Sequence, residues 1–129
     1  MKYKEISVSL KTNKSSNYLW GKINTPKRLF KLEEFRKVSG LKRISENNYQ
    51  FYFNKRFAFL TFIPEIGVNM TFILDDDSSL AWFEIKGKNN CVISHGTSVR
   101  VDDDNGKWYK KNKKIISNHF MKELKEWSK

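Results

Sequence analysis

Residues 108–127, WYKKNKKIISNHFMKELKEW, decide the fold. Trp108, Ile115, Ile116, Phe120, Leu124 and Trp127 keep to one face of a helix with about 3.6 residues per turn. Lys107, Lys110, Lys111, Lys113 and Lys114 fall mostly off that stripe, on the side that meets solvent. An apolar stripe has to be buried against another element. The residues before Trp108 read mostly as strands, so the partner is a sheet. A sheet gripped by one long terminal helix often encloses a cavity.

Working back from the helix, the aspartates Asp102, Asp103 and Asp104 with Asn105 cap its start, where carboxylates favour a helix N-terminus. Cys91 to Val101 reads as extended, either continuous or broken at His95-Gly96. Leu80 to Ile85 is a strand around Trp82, bounded by turns at Asp75–Ser79 and Gly87–Asn90. Val68, Met70, Phe72 and Leu74 share a strand face after the turn Pro64–Gly67. Phe57, Phe59 and Thr61 alternate with Ala58, Leu60 and Phe62, and Tyr49, Phe51 and Phe53 alternate before them. Asn54-Lys55 between these runs fits a two-residue hairpin turn.

Glu5 to Lys11 alternates, with Ile6, Val8 and Leu10 on one face, as in a half-buried strand. Ser15 or Ser16 then caps a short helix carrying Tyr18, Leu19 and Ile23. Thr25-Pro26 opens a second, with proline at its first position. Leu29, Phe30, Leu32, Phe35 and Val38 follow at helical spacing, and Gly40 fits its stop. The expected class is α+β: a strand, two short helices, an antiparallel sheet of about six to seven strands in all, and a long C-terminal helix packed on it.

At 129 residues the chain is expected to be one domain, residues 1–129. The aromatic content of 15% supplies large rings for a core or a pocket. Cys91, the single cysteine, has no partner for an internal disulfide, which suits a reducing compartment. Met1 to Lys14 alternates and carries charges, unlike a signal peptide, and no apolar run is long enough to span a bilayer. The expectation is a cytoplasmic protein. A net charge of +11 and a pI near 9.8 would attract nucleic acid, anionic lipid or an acidic partner. Arg28, Arg36, Arg43, Arg56 and Arg100 are the only arginines, however, and lysines on solvated faces are the commonest fate of such charge.

This order of elements resembles the START-like helix-grip fold of the SRPBCC superfamily, which includes polyketide cyclases and coenzyme Q-binding proteins. Three short stretches carry the resemblance. Ser16-Asn17-Tyr18-Leu19-Trp20 looks like the family's first helix, with its aromatic residue. Gly96-Thr97-Ser98-Val99-Arg100-Val101 is similar to the Gly-Thr-x-Val pattern of its last strand. Gly106-Lys107-Trp108 opens a final helix of the right length. This chain is more basic and shorter than most members. The resemblance implies a curved sheet wrapped around the last helix, with a hydrophobic pocket between them.

Trp20, Phe30, Phe35, Phe51, Phe59, Met70, Phe72, Trp82, Ile116 and Phe120 are the candidates to converge there. Core filling and pocket lining share one sequence signature. The expected function is binding of a small hydrophobic or lipid-like ligand. The alternative is a basic nucleic-acid or polyanion module, with Lys107, Lys110, Lys111, Lys113 and Lys114 on phosphates and the segment Tyr49–Phe62, tipped by Lys55 and Arg56, as a stacking platform. A lyase or cyclase using a polar pair in the pocket is a third class within the superfamily. No catalytic constellation stands out, and no cofactor or metal is implied. His95 would need a partner to act as a base, and the sequence names none. His119 lies near the apolar stripe and reads as a wall residue. Cys91 reads as a small buried hydrophobe, and Cys91 with His95 is too few donors for zinc. The runs Asp75–Asp77 and Asp102–Asp104 carry oxygen ligands for calcium or magnesium, but match no known loop spacing and read more simply as a hairpin tip and a helix cap.

Overall fold

Alternation through Ile6, Val8 and Leu10 gives strand β1 (Tyr3–Lys11), and the polar break after it opens two short helices. The computed structural model describes residues 2–33, 38–73 and 78–129. Helix α1 (Ser16–Gly21) starts at Ser15, whose hydroxyl accepts the Tyr18 N–H at 3.1 Å. Helix α2 (Pro26–Leu32) starts at Thr25, whose hydroxyl accepts the Arg28 N–H at 3.2 Å, with Pro26 in the first turn. Capping satisfies N–H groups that have no partner inside the helix. Leu19, Ile23 and Leu29 point from this pair into the core and are fully buried.

The remaining strands are β2 (Val38–Ser45), β3 (Asn48–Phe53), β4 (Arg56–Ile63), β5 (Gly67–Ile73), β6 (Ser78–Lys86) and β7 (Val92–Arg100). They form one curved, antiparallel, seven-stranded sheet in the order β1-β7-β6-β5-β4-β3-β2. Strands β2 to β7 run as a meander, and β1 closes on β7. Helices α1 and α2 cross from one edge of the sheet to the other. Asn54 and Lys55 take positive φ values of 50° and 65° and make the tight β3–β4 hairpin. Strand β7 continues unbroken through His95-Gly96. Helix α3 (Lys107–Trp127) starts under Asp104, whose carboxylate accepts the N–H groups of Gly106 and Trp108 at 3.0 and 2.9 Å. It packs on β1 and β7 and meets α2. Among the described residues no helix is long and apolar enough to cross a membrane.

Two expectations change. Val38 and Gly40, read as the end of the second helix, belong to β2. Helix α2 stops at Leu32, and Val38 and Ser39 pair with Phe53 and Tyr52. A β-branched residue opposite an aromatic is a favourable cross-strand pair, and here it outweighs the helical spacing. Trp108 and Ile115 are 49% and 65% exposed. The inward stripe of α3 is Ile116, Phe120, Glu123, Leu124 and Trp127; the first two are half-buried and the last three buried, so it deepens toward the C-terminal end. Phe35 and the Asp75–Asp77 turn lie outside the described residues.

The register decides which side chains face α3. Ile6, Val8 and Leu10 sit opposite Thr97, His95 and Ile93, which in turn sit opposite Ala81, Phe83 and Ile85. Val68, Met70, Leu60, Phe62 and Phe51 continue this inward face and are buried. Trp127 closes it at one end: its indole N–H donates to the Leu19 carbonyl at 2.9 Å, and its ring meets Phe83 edge to face.

Leu124 is fully buried in this core, so Leu124→Ala is expected to lower stability by about 2–5 kcal/mol. Lys113, on the exposed face, is expected to change it by less than about 0.5 kcal/mol when replaced by alanine. Denaturant midpoints of the two variants check this. Equal losses would mean that the faces of α3 are assigned wrongly.

Candidate functional site

Three anchored elements bring titratable side chains to one buried point. His95 lies on the inward face of β7, between Ile93 and Thr97 in the alternation, and is 1% exposed. Its ring stacks on Phe83 with centroids 4.0 Å apart and planes 8° apart, and Phe120 of α3 covers it, also at 4.0 Å. Nδ1 lies 2.8 Å from the Trp82 carbonyl oxygen. A carbonyl only accepts, so Nδ1 carries a proton and donates it there. That leaves Nε2 directed at two carboxylates.

Glu33 follows the last turn of α2, and its Oε1 stands 3.2 Å from His95 Nε2. Glu123 precedes Leu124 on the buried stripe of α3, and its Oε1 stands 3.6 Å from the same nitrogen. Both carboxylates are almost wholly shielded from solvent. His119, one turn before Glu123, reaches the same Glu123 oxygen at 2.9 Å from a half-exposed position. Within the described residues Glu33 Oε1, His95 Nε2 and both oxygens of Glu123 lack an aligned hydrogen-bond partner. Burying such atoms is costly unless a charge compensates them.

A proton on Nε2 is one compensation. Burial alone would pull His95 down, but the Glu123 and Glu33 carboxylates outweigh it and raise it from 6.5 to about 9. Burial likewise raises Glu33, against the pull of His95. The cluster therefore holds protons more tightly than the unfolded chain does.

His119 faces a cleft of about 490 Å3 between the two short helices and the C-terminal half of α3, and Glu123 lines it with its carboxylate oxygens turned to the interior. One wall is Gly21, Arg28, Lys31 and Leu32; the other is His119, Lys122, Glu123 and Trp127. Arg28 is held in place by the Gly21 carbonyl and the Asn24 side-chain oxygen, at 2.6 and 3.0 Å. The volume lies within the usual span of small-molecule sites.

Phe35 aside, nine of the ten pocket candidates from the sequence lie among the described residues, and none of the nine lines this cleft. Phe30, Phe51 and Phe72 form a chain of ring contacts, at 5.0 Å and then 6.3 Å, with Met70 buried beside them on the inward face. Ile116 and Phe120 are half-buried on α3. Trp20 packs on Phe62 at 6.0 Å. Phe59 and Trp82 stand on the opposite, convex face, because the inward set on β4 is Ala58, Leu60 and Phe62 and on β6 is Ala81, Phe83 and Ile85. Trp82 lies flat over Gly96, where a Cβ would come within 2.4 Å of its ring. Lys107, Lys110, Lys111, Lys113 and Lys114 are all exposed. Cys91 is buried and unpaired. Asp102 and Asp103 pair with Arg100 at 3.0 and 3.1 Å, and Asp104 caps α3.

No protein-family model matches the sequence, and neither does any curated protein. Solved structures do match in fold. Protein MLL2253 from Mesorhizobium loti superposes with a TM-score of 0.64 at 12% identity over 96% of both chains. Norcoclaurine synthase from Thalictrum flavum, in complex with dopamine and hydroxybenzaldehyde, gives 0.65 at 16% identity, over 98% of this chain and 84% of that one. The di-domain ARO/CYC protein StfQ from the steffimycin biosynthetic pathway gives 0.69 at 9% identity, over 98% of this chain. This chain spans 50% of that di-domain protein. The fold is thus the START-like helix-grip fold that the order of elements resembles.

The proton on the cluster sets a pH dependence. A group raised by folding contributes stability that is complete below its unfolded value and is lost as pH rises through its folded value. For metal-free protein kept in chelator, stability is expected to fall by on the order of 3 kcal/mol between about pH 6.5 and pH 9. The groups facing His95 are Glu33 from the end of α2 and Glu123 of α3, with His119 behind the latter. Denaturant midpoints across that range check it, and His95→Asn should flatten the slope. A wild-type slope equal to that of the variant would contradict the arrangement.

Proposed function

We propose that this chain binds a small organic ligand with an apolar body and an acidic group in the cleft between α2 and the C-terminal half of α3. The observation that carries the proposal is the cleft itself, which is large enough for a small molecule and ends on the wall that holds Glu123. Leu32, partly exposed at the end of α2, offers apolar surface to the ligand body. Lys22, Arg28, Lys31 and Lys122 stand around it against Glu123 and Glu126, so positive charge prevails in the walls. An acidic group meets favourable charge there while the ligand body leaves water. The likeness of fold to norcoclaurine synthase, bound to two small aromatic molecules, and to an aromatase/cyclase-type protein gives the reading further support. The same cleft also puts the half-exposed His119 beside a bound molecule, where a side chain of this type can serve acid–base chemistry.

The inward-facing Phe30, Phe72, Ile116 and Phe120 are half-buried, and they are the second surface on which an apolar ligand would rest. The test separates the two. Anilinonaphthalene sulfonate, an apolar fluorophore with one acidic group, is titrated into the full chain. Lys31→Gln with Lys122→Gln is expected to weaken its binding about tenfold, the equivalent of roughly 1.4 kcal/mol. Phe72→Leu is expected to leave it within about twofold, a few tenths of a kcal/mol. The opposite ranking would move the ligand to the inward aromatic face, and absence of binding to the folded chain would overturn the proposal.

A further inference from the structure

The geometry points to a divalent transition-metal site of the zinc type, formed by Glu33, His95 and Glu123. Glu33 Oε1, His95 Nε2 and a Glu123 oxygen lie within 4.8 Å of one another. His95 Nε2 is 3.2 Å from the first and 3.6 Å from the second. Two donors about 2.0–2.1 Å from one tetrahedral zinc ion stand roughly 3.3 Å apart, so the spacing matches shared coordination as well as it matches ion pairing. The alignment favours coordination. These oxygens and this nitrogen are close, yet among the described residues none is aligned with a hydrogen-bond partner.

The surroundings are those of a metal ligand. His95 is 1% exposed, wedged between Phe83 and Phe120, and its Nδ1–H is fixed on the Trp82 carbonyl. A metal-ligating imidazole has its other nitrogen held in this way, which sets its tautomer and aims the free lone pair. His119 Nε2 stands 2.9 Å from the same Glu123 oxygen, the place of an outer partner to a ligating carboxylate once an ion sets the alignment. A divalent ion with two carboxylates and a neutral imidazole makes a buried cluster of zero net charge. Calcium and magnesium fit less well, since they take six or more oxygens where only two carboxylates and a nitrogen converge. Three protein donors leave one of four positions for water or a ligand.

The experiment uses the full chain, stripped with a chelator and dialysed. Zn2+ is titrated in competition with a chromophoric indicator, and Co2+ is followed by visible absorption. One equivalent of Zn2+ is expected to bind. Glu123→Gln should weaken it at least a hundredfold, and His119→Asn, which touches only the outer contact, about tenfold to a hundredfold. The Co2+ form of the unmodified chain should show the strong visible bands of a four-coordinate ion. That measurement stands even if a variant fails to fold, and circular dichroism reports whether it has. Absence of stoichiometric Zn2+ binding, a weak six-coordinate Co2+ spectrum, or a folded Glu123→Gln chain that binds Zn2+ as tightly as the parent would each overturn the site.

Discussion

The seat of Trp127 and Leu124 in the core fixes the rest of the molecule. Both are buried, and the indole N–H is spent on the Leu19 carbonyl of α1. Helix α3 can rotate about its axis only by lifting these side chains out, which would expose a large apolar area. Its rotation is therefore set. Glu123 is adjacent to Leu124 and one turn before Trp127, so the same seat carries a carboxylate into the interior. Sheet register acts in the same way on His95. Gly96 has to take the convex side, where only a glycine leaves room for Trp82, and His95 is left facing inward. Helix α2, held by the Thr25 cap and by Leu29, delivers Glu33 from a third direction.

The result divides the interior. Toward the end closed by α1 and Trp127 the core is filled by Leu19, Ile23, Phe62, Val68, Phe83, Ile85 and Ile93. Apolar packing of this kind is tolerant of exchange and carries no chemistry. At its border sits a compact group of charged side chains whose burial costs several kcal/mol unless a proton or an ion offsets it. Glu123 belongs to that group and lines the cleft, with its carboxylate shielded behind that wall. Positive charge on Arg28 and Lys31 lies on the opposite side of the same opening, and Lys122 stands on the wall of Glu123. Sites with perturbed groups beside a concave surface are where binding and catalysis concentrate.

Most of the fold was legible in the sequence, because alternation and helical spacing are local signals. The Ser15 and Thr25-Pro26 caps, the Asn54-Lys55 hairpin and the long final helix follow from a few adjacent residues each. Trp108 and Ile115 show the limit: they share the helical period of the stripe, yet α3 leans its C-terminal half into the core and leaves them in solvent. The site was less legible. Aromatic residues on alternating positions cannot announce which face is inward, so Phe59 and Trp82 were grouped with residues of the other face. The cluster joins residues from three distant segments, and only its members' local settings carried a trace. Glu123 interrupts an apolar stripe, three residues after Phe120 and four before Trp127. His95 takes an inward place between Ile93 and Thr97. A charged residue at a core position is the signal that could have found both. Glu33, one of two adjacent glutamates at a helix end, has no such mark.

Glu33 and Glu123 meet the His95 ring at one buried point. Nitrogen NMR of the imidazole groups in the metal-free chain tests it most directly. Convergence predicts that near neutral pH the His95 ring carries a proton on both nitrogens, one on the Trp82 carbonyl and one toward the carboxylates, and releases the second only toward pH 9. A His95 ring that titrates near the ordinary 6.5 would show that the carboxylates do not meet it.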